Sequence, residues 1–296
     1  MYKNKNYHLD SQQNNQNPNE NKGEVNNPPN PSQSQAEKPE GKIEKPKDIQ
    51  NPYSPLNQKK EHIDYNKKGF DYSKLLPLLN KADPSKDNII LLTTGSFNPV
   101  HRMHLEILHI AYKFLRSKNY NVLCSFISPS ADCYVKHKQP PTIPFDIRCE
   151  IVERAIEEYQ LEIKDDEFKI FLHTWEGTQN TFIDFPYVVE EIQNELIKYQ
   201  SKLVYVCGLD LFVKCAAYYL NKNVIAIYRR PYKNKKFMDD PNRLIYIIED
   251  DKAEPFSSTS IRQYYLDNNY KEIERATFRG VAKMIIDYYT SINFKK

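Results

Sequence analysis

From residue 88 onward the chain alternates short apolar runs with stretches of helical period. Apolar runs bounded by turn residues fall at 89–93, 122–128, 168–172, 203–207, 224–228 and 244–248. Each has the length and the continuous hydrophobicity of a buried parallel strand. Apolar positions recur at three- and four-residue spacing near 100–118, 146–159, 186–200, 209–220, 258–268 and 277–290, which predicts helices. In the first of these, Met103, Ile107, Ile110, Ala111 and Phe114 form the expected core face. Such alternation predicts a parallel sheet with helices on both faces. Ligands of these sheets bind beyond the carboxyl ends of the strands, where the strand order reverses. The pattern does not give that order, and it shows no internal repeat.

The first 65 residues have a different character. They are rich in Asn, Gln, Pro, Lys and Glu and almost devoid of apolar residues. A stretch of this kind cannot bury enough surface to offset the entropy of ordering it, so a disordered tail is expected over 1–65, with one α/β domain over 66–296. Within the tail, Asn26-Asn27-Pro28-Pro29-Asn30-Pro31 favours extended backbone. A regulatory tail and a plain solvated extension both fit this composition.

Charge and cysteines narrow the classes. A formal net charge of +3 gives no global basic field, so nucleic acid is not an expected partner. The run Arg229-Arg230-Pro231-Tyr232-Lys233-Asn234-Lys235-Lys236 is a local exception. It reads equally as a nuclear-import or phosphate-holding patch and as a solvated loop after a strand. Five cysteines, at 124, 133, 149, 207 and 215, include no CxxC pair. That pattern fits reduced thiols rather than a disulfide scaffold or a zinc site. The N-terminal residues lack the apolar core of a signal peptide, and no apolar stretch is long enough to span a bilayer. An intracellular protein is expected, in nucleus or cytoplasm, with no membrane partner; homo-oligomerisation is left open.

The segment Gly95-Ser96-Phe97-Asn98-Pro99-Val100-His101-Arg102-Met103-His104 carries the chemistry. It joins a predicted strand to a predicted helix, where free N–H groups and the positive dipole end make an anion site. Gly95 lets backbone approach a phosphate. Asn98 is placed to cap the helix and Pro99 to enter its first turn. His101 and His104, three apart, project from one side of that turn. Two imidazoles beside a phosphate cradle suit phosphate-group transfer. Downstream stand Ile127-Ser128-Pro129 with Asp132 and Tyr134, then Thr174-Trp175-Glu176, Cys207-Gly208-Leu209-Asp210, and Ser257-Ser258-Thr259-Ser260-Ile261-Arg262. As bare sequence, the serines are as well explained by helix capping, Asp210 by a cap, and Trp175 by a place in the core.

Together and in this order, these segments resemble the motifs of the eukaryotic nicotinamide/nicotinate mononucleotide adenylyltransferases, a branch of the HxxH nucleotidylyltransferase superfamily. The resemblance runs over roughly residues 88–290. It implies a doubly wound, Rossmann-like fold and transfer of the adenylyl group of ATP to nicotinamide mononucleotide or nicotinate mononucleotide, with release of pyrophosphate. It implies that His101, His104 and Arg262 act on the transferring phosphates. Gly95, Ser96, Phe97, Ser258, Thr259, Ser260 and Ile261 would complete the ATP site. Trp175 matches the pyridine-stacking position, with Thr178 beside it; Tyr134, Lys136, Gly208 and Asp210 match positions around the mononucleotide. A divalent cation, Mg²⁺ by preference, would be held mainly through the ATP phosphates. Two competing readings remain: the same chemistry on another phosphate acceptor, such as phosphopantetheine or phosphocholine, and a non-catalytic nucleotide-binding or chaperone-like protein. The chain departs from the family in two places. Many animal members carry a second tryptophan where Tyr218 and Tyr219 lie, and the segment 186–200 runs almost directly into the 203 strand, without the insertion that some relatives carry.

Overall fold

The computed structural model describes residues 63–295, apart from 65, 138–139, 216, 218–219, 221, 230–236 and 252–253. Most of the expected tail, most of the basic run, and Tyr218 and Tyr219 therefore lie outside the described residues. A short 3-10 helix, Tyr72–Leu75, leads into α1 (Leu76–Leu79). Then come β1 (Asn88–Gly95), α2 (Arg102–Ser117), β2 (Asn121–Pro129), α3 (Asp132–Val135), α4 (Phe145–Ile163) and β3 (Ile170–Leu172). They are followed by α5 (Phe185–Ile197), β4 (Ser201–Gly208), α6 (Leu209–Lys214), β5 (Val224–Arg229), β6 (Ile245–Asp250), α7 (Ser258–Leu266), α8 (Tyr270–Ala276) and α9 (Arg279–Ser291).

All six expected strands form one sheet in the order β3-β2-β1-β4-β5-β6, and every neighbouring pair is parallel. The side-chain period of two divides the core across it. Ile89 and Leu91 join the layer beneath α2, α4, α7, α8 and α9, with Leu108, Val152, Ile261 and Ile285. Ile90 and Leu92 point the other way, to the layer containing Leu75, Val188, Ile192 and Phe212. Helices thus cover both faces, and the strands are mostly apolar along their centres because neither face there meets water.

Chain direction out of the sheet reverses between β1 and β4, and the ladder opens there. β1 stays paired with β2 up to Gly95 and Pro129, but its pairing with β4 ends at Leu92 and Tyr205. The last residues of β1 and β4 therefore diverge, leaving a crevice at their carboxyl ends. A hydrogen bond between Thr94 Oγ1 and the Tyr205 hydroxyl, 2.9 Å, closes its floor.

The helices depart from the pattern in three ways. The buried stripe of α2 is Leu105, Leu108, Ala111, Tyr112 and Leu115. Met103, Ile107, Ile110 and Phe114 are only half-buried and flank it. α2 packs on the sheet and on α4, and two adjoining apolar stripes serve the two contacts, so periodicity alone does not rank them. The expected helix at 209–220 is described only as Leu209–Lys214. An unpredicted helix, α8, precedes α9, separated from it by Thr277 and Phe278.

Candidate active site

His101, not Asn98, is the residue that precedes the first turn of α2, and Pro99 lies outside the helix. The expected capping by Asn98 fails because its side chain is engaged elsewhere. Its amide donates to the Pro141 carbonyl at 3.0 Å, and its Oδ1 accepts from the Ile143 N–H at 2.9 Å. The cap is built instead from histidine: the His101 N–H donates to His104 Nδ1 at 3.1 Å. The two rings stack at 3.6 Å between centroids, and the edge of Phe97 meets His104 at 4.8 Å. Because Nδ1 of His104 accepts a hydrogen bond, the neutral ring carries its proton on Nε2. Burial pushes the His104 pKa down to about 3, so this ring is a neutral donor until an anion enters and favours its charged form.

The left-handed turn of this loop falls on Phe97, at φ 42°, not on Gly95. A non-glycine residue in that region stores strain and persists only when its surroundings hold it there. Gly95 matters for space: a Cβ there would meet the Phe97 ring at 3.2 Å. Two arginines hold the loop. Arg262, 8% exposed, donates from Nη1 to the Asn98 carbonyl at 2.7 Å and from Nη2 to Thr259 Oγ1 at 3.0 Å. Ser258 adds a hydroxyl bond to the Pro99 carbonyl at 2.8 Å. Residues far apart in sequence thus bring the start of α7 against the start of α2. Arg148, which carries no motif, holds the other side through the Ser96 carbonyl at 2.7 Å.

The Ser257–Arg262 segment is divided between roles. Ser257 caps α7: its hydroxyl accepts from the Ser260 N–H at 3.0 Å, and Ser260 Oγ accepts from the Ser257 N–H at 3.0 Å. Ser260 is therefore already engaged as a capping box. Ile261 does not fit its expected place at ATP. Its side chain is fully buried in the core and its N–H bonds to the Ser257 carbonyl at 3.1 Å, which leaves neither group for a ligand.

Next to the His loop, the loop after β2 and the Trp175 loop meet. Ser130 N–H donates to the Gly95 carbonyl at 2.8 Å, which ties the β2 loop to the His loop. Ser128 Oγ donates to Glu176 Oε2 at 3.0 Å. Burial pushes Glu176 up to about 8, against bonds from Ser130 and Ser128 that favour its charged form. Glu176 is thus a neutral carboxyl at the foot of this loop near pH 7.

The open stacking face expected of Trp175 is not found. The side chain is 2% exposed and lies in the core with Phe126, Val188 and Leu209. The segment just before the 3-10 helix lies against its backbone. Thr174 N–H donates to the Gly69 carbonyl at 2.9 Å, and a Cβ on Gly69 would stand 2.2 Å from the Trp175 backbone nitrogen. Asp64 exchanges two backbone bonds with the Gln179 amide, and Lys67 Nζ reaches the Thr178 carbonyl at 2.7 Å. Thr178 is exposed, with its hydroxyl turned back to the Trp175 carbonyl at 3.0 Å.

Tyr134, on α3, stacks on Phe182 at 4.0 Å; Phe182 lies in a polar turn, and nothing in the pattern singled it out. Lys136 is exposed at the end of α3, and no described contact joins it to the His loop. Gly208 precedes α6 and Asp210 lies exposed in its first turn; a Cβ on Gly208 would meet Asp210 Oδ1 at 2.6 Å. Both sit at the β4 end of the crevice. Arg148 had one legible signal: it falls on the stripe of α4 that buries Ile151, Val152, Ala155, Ile156 and Tyr159, a place where a lone cation is out of pattern.

A family model described as cytidylyltransferase-like matches residues 92–264, from the end of β1 through Arg262. The chain belongs to this cytidylyltransferase-like family. Its similarity to named proteins is more limited. It is 28% identical over 134 residues to a nicotinamide/nicotinic acid mononucleotide adenylyltransferase of Arabidopsis thaliana, covering 43% of this chain and 52% of that protein. To the enzyme of the same name from Oryza sativa subsp. japonica it is 30% identical over 141 residues, covering 44% and 52%. The chain thus spans about half the length of the curated relatives it matches. In fold it is similar to Plasmodium falciparum nicotinic acid mononucleotide adenylyltransferase complexed with NaAD, with a TM-score of 0.50 and 19% identity over 69% of this chain and 96% of that one. The matched residues 92–264 include the His loop and the start of α7.

Proposed function

We propose that this protein transfers the adenylyl group of ATP to nicotinamide or nicotinate mononucleotide, giving the dinucleotide and pyrophosphate. The observation that carries the reading is the stacked His101–His104 pair on a loop clamped by Arg262 and Ser258, at the crevice where β1 and β4 part. The names of the curated relatives support the choice of substrates.

The reaction needs positioning and charge stabilisation more than covalent participation. A phosphate oxygen of the mononucleotide attacks the α-phosphorus of ATP, the bond to the bridging oxygen breaks, and pyrophosphate leaves with that electron pair. His104 offers Nε2–H to a phosphate oxygen, and His101 stands against it. Arg262 holds the Asn98 carbonyl and adds a positive charge at the same loop. The loop N–H of Phe97 supplies a further donor. Glu176, Tyr134, Gly208 and Asp210 belong to the acceptor half, and the Trp175 loop, which carries Glu176, completes it. A bound divalent cation would neutralise triphosphate charge.

The deciding assay supplies ATP with each mononucleotide in turn and follows both dinucleotide and pyrophosphate. Phosphopantetheine with ATP and phosphocholine with CTP are run alongside. Turnover confined to either of the latter pairs would reassign the acceptor, and no turnover with any pair would leave a nucleotide-binding protein without this chemistry.

A further inference from the structure

We infer that Arg148 is a positioning residue for adenylyl transfer, joining the ATP half of the site to the acceptor half. The inference rests on the reaction proposed above. Arg148 has no exposed surface, and all its described bonds go to loops at the carboxyl ends of strands or to the segment leading into α4. Nη1 donates to the Ser96 carbonyl at 2.7 Å, and Nη2 to the Ser130 carbonyl at 2.7 Å and to Asp132 Oδ1 at 3.0 Å. Nε donates to the Ile143 carbonyl at 3.0 Å. Asn98 holds the same segment through Ile143 and Pro141.

Burying a guanidinium costs several kcal/mol that an apolar residue on this stripe would not incur. Packing therefore does not account for a cation here; the four bonds do. A planar fork reaches three loops at once, which neither lysine nor a neutral side chain can reproduce. Its bond to Ser96 has a directional consequence. In a planar trans peptide the N–H of the next residue points opposite to the carbonyl. With the Ser96 carbonyl turned inward to Arg148, the Phe97 N–H faces away from the interior, as a donor for a phosphate oxygen. The contact lies directly before Phe97, the residue at positive φ.

Nη2 reaches the acceptor side. Ser130, whose carbonyl it holds, bonds to Glu176 and donates its N–H to the Gly95 carbonyl. Asp132 begins α3, which carries Tyr134. One side chain therefore sets the distance between the loop that takes the triphosphate and the loops that take the mononucleotide. In-line attack is sensitive to that distance: a misplacement of about 1 Å costs ~100-fold in rate.

The test measures kcat and both Michaelis constants for Arg148→Lys, Arg148→Ala and Asp132→Asn in the full chain, with melting temperature as the fold control. Wild-type turnover is measured first, so failure of the proposed reaction shows there and is separate from failure of this inference. For folded Arg148→Lys, kcat should fall ~100-fold while each Michaelis constant changes less than ~5-fold. For Arg148→Ala, millimolar guanidinium chloride should restore part of kcat, and equal sodium chloride should not. Asp132→Asn, which leaves the guanidinium in place, should lower kcat several-fold. Wild-type kcat per folded molecule in Arg148→Lys would overturn the inference. So would loss of folding in both Arg148 variants combined with wild-type kcat in Asp132→Asn, which would make Arg148 a fold residue only.

Discussion

Replacing His104 with alanine separates the chemistry of the His loop from its fold. The structural loss is small and countable. The variant loses the bond from the His101 N–H, 3.1 Å, and ring contacts with His101 and Phe97 at 3.6 and 4.8 Å. A lost helix cap costs ~1 kcal/mol and a lost aromatic contact ~0.5–1.5 kcal/mol. The sum, ~2–4 kcal/mol, is below the ~5–15 kcal/mol that holds a typical domain. A domain of this size should therefore stay folded, with a melting temperature lower by roughly 4–16 °C. The chemical loss is of similar size but falls on the transition state. Removing one preoriented donor to transition-state charge costs ~2.7–4 kcal/mol, or ~100–1000-fold in kcat. Arg262, His101 and the loop amides remain, so the Michaelis constant for ATP should change much less than kcat. Steady-state kinetics at saturating ATP and mononucleotide, on protein shown to be folded by its melting curve, measures both. A folded variant with kcat within ~3-fold of wild type would refute the role assigned to His104.

Arg262→Lys keeps the charge but cannot serve Asn98 and Thr259 together; the Michaelis constant for ATP should rise ~10-fold or more while that for the mononucleotide holds. A defect confined to the mononucleotide would place Arg262 elsewhere. Gly69→Ala forces a methyl group to within 2.2 Å of the Trp175 nitrogen, and should lower stability by ~1–3 kcal/mol; an unchanged urea midpoint would show that residues 67–70 do not pack on the Trp175 loop. Stability should peak near pH 6.5. Burial pushes His104 and His173 down to about 3 from 6.5 and Glu176 up to about 8 from 4.5. Below 6.5 the unfolded chain takes up protons that the two folded imidazoles refuse, costing ~1.4 kcal/mol per pH unit for each; Glu176 acts oppositely between 4.5 and 8, gaining ~1.4 kcal/mol per unit as pH falls. The net is a loss of ~1.4 kcal/mol per unit from pH 6.5 toward 4.5, and a similar loss from 6.5 toward 8. Urea denaturation at pH 5, 6.5 and 8 checks this; stability rising steadily from pH 6.5 to 8 would contradict the burial of Glu176.

Much of this protein was decided by the order of its residues alone. Six apolar runs became six strands, because a strand buried on both faces must be apolar throughout and so marks itself in any sequence. His101 and His104 fall at the start of α2 and Arg262 in the first turns of α7, as expected, because a helix start is written in neighbouring residues. The strand order, and with it the crevice between β1 and β4, belongs to tertiary structure, since local pattern says nothing about which strands meet. The same holds for Asn98, drawn from capping to a loop 43–45 residues away, and for Ile261, taken by the core. Trp175 is taken by the core, and its loop is tied to Gly69, 105 residues from Thr174. Arg148 acts on Ser96 across 52 residues. A side chain bonding to backbone carbonyls selects no partner residue type, and so leaves no motif. Sequence determined which polar groups stand at the helix starts; the folded chain decided how they are aimed, because aim depends on contacts between segments that sequence order keeps apart.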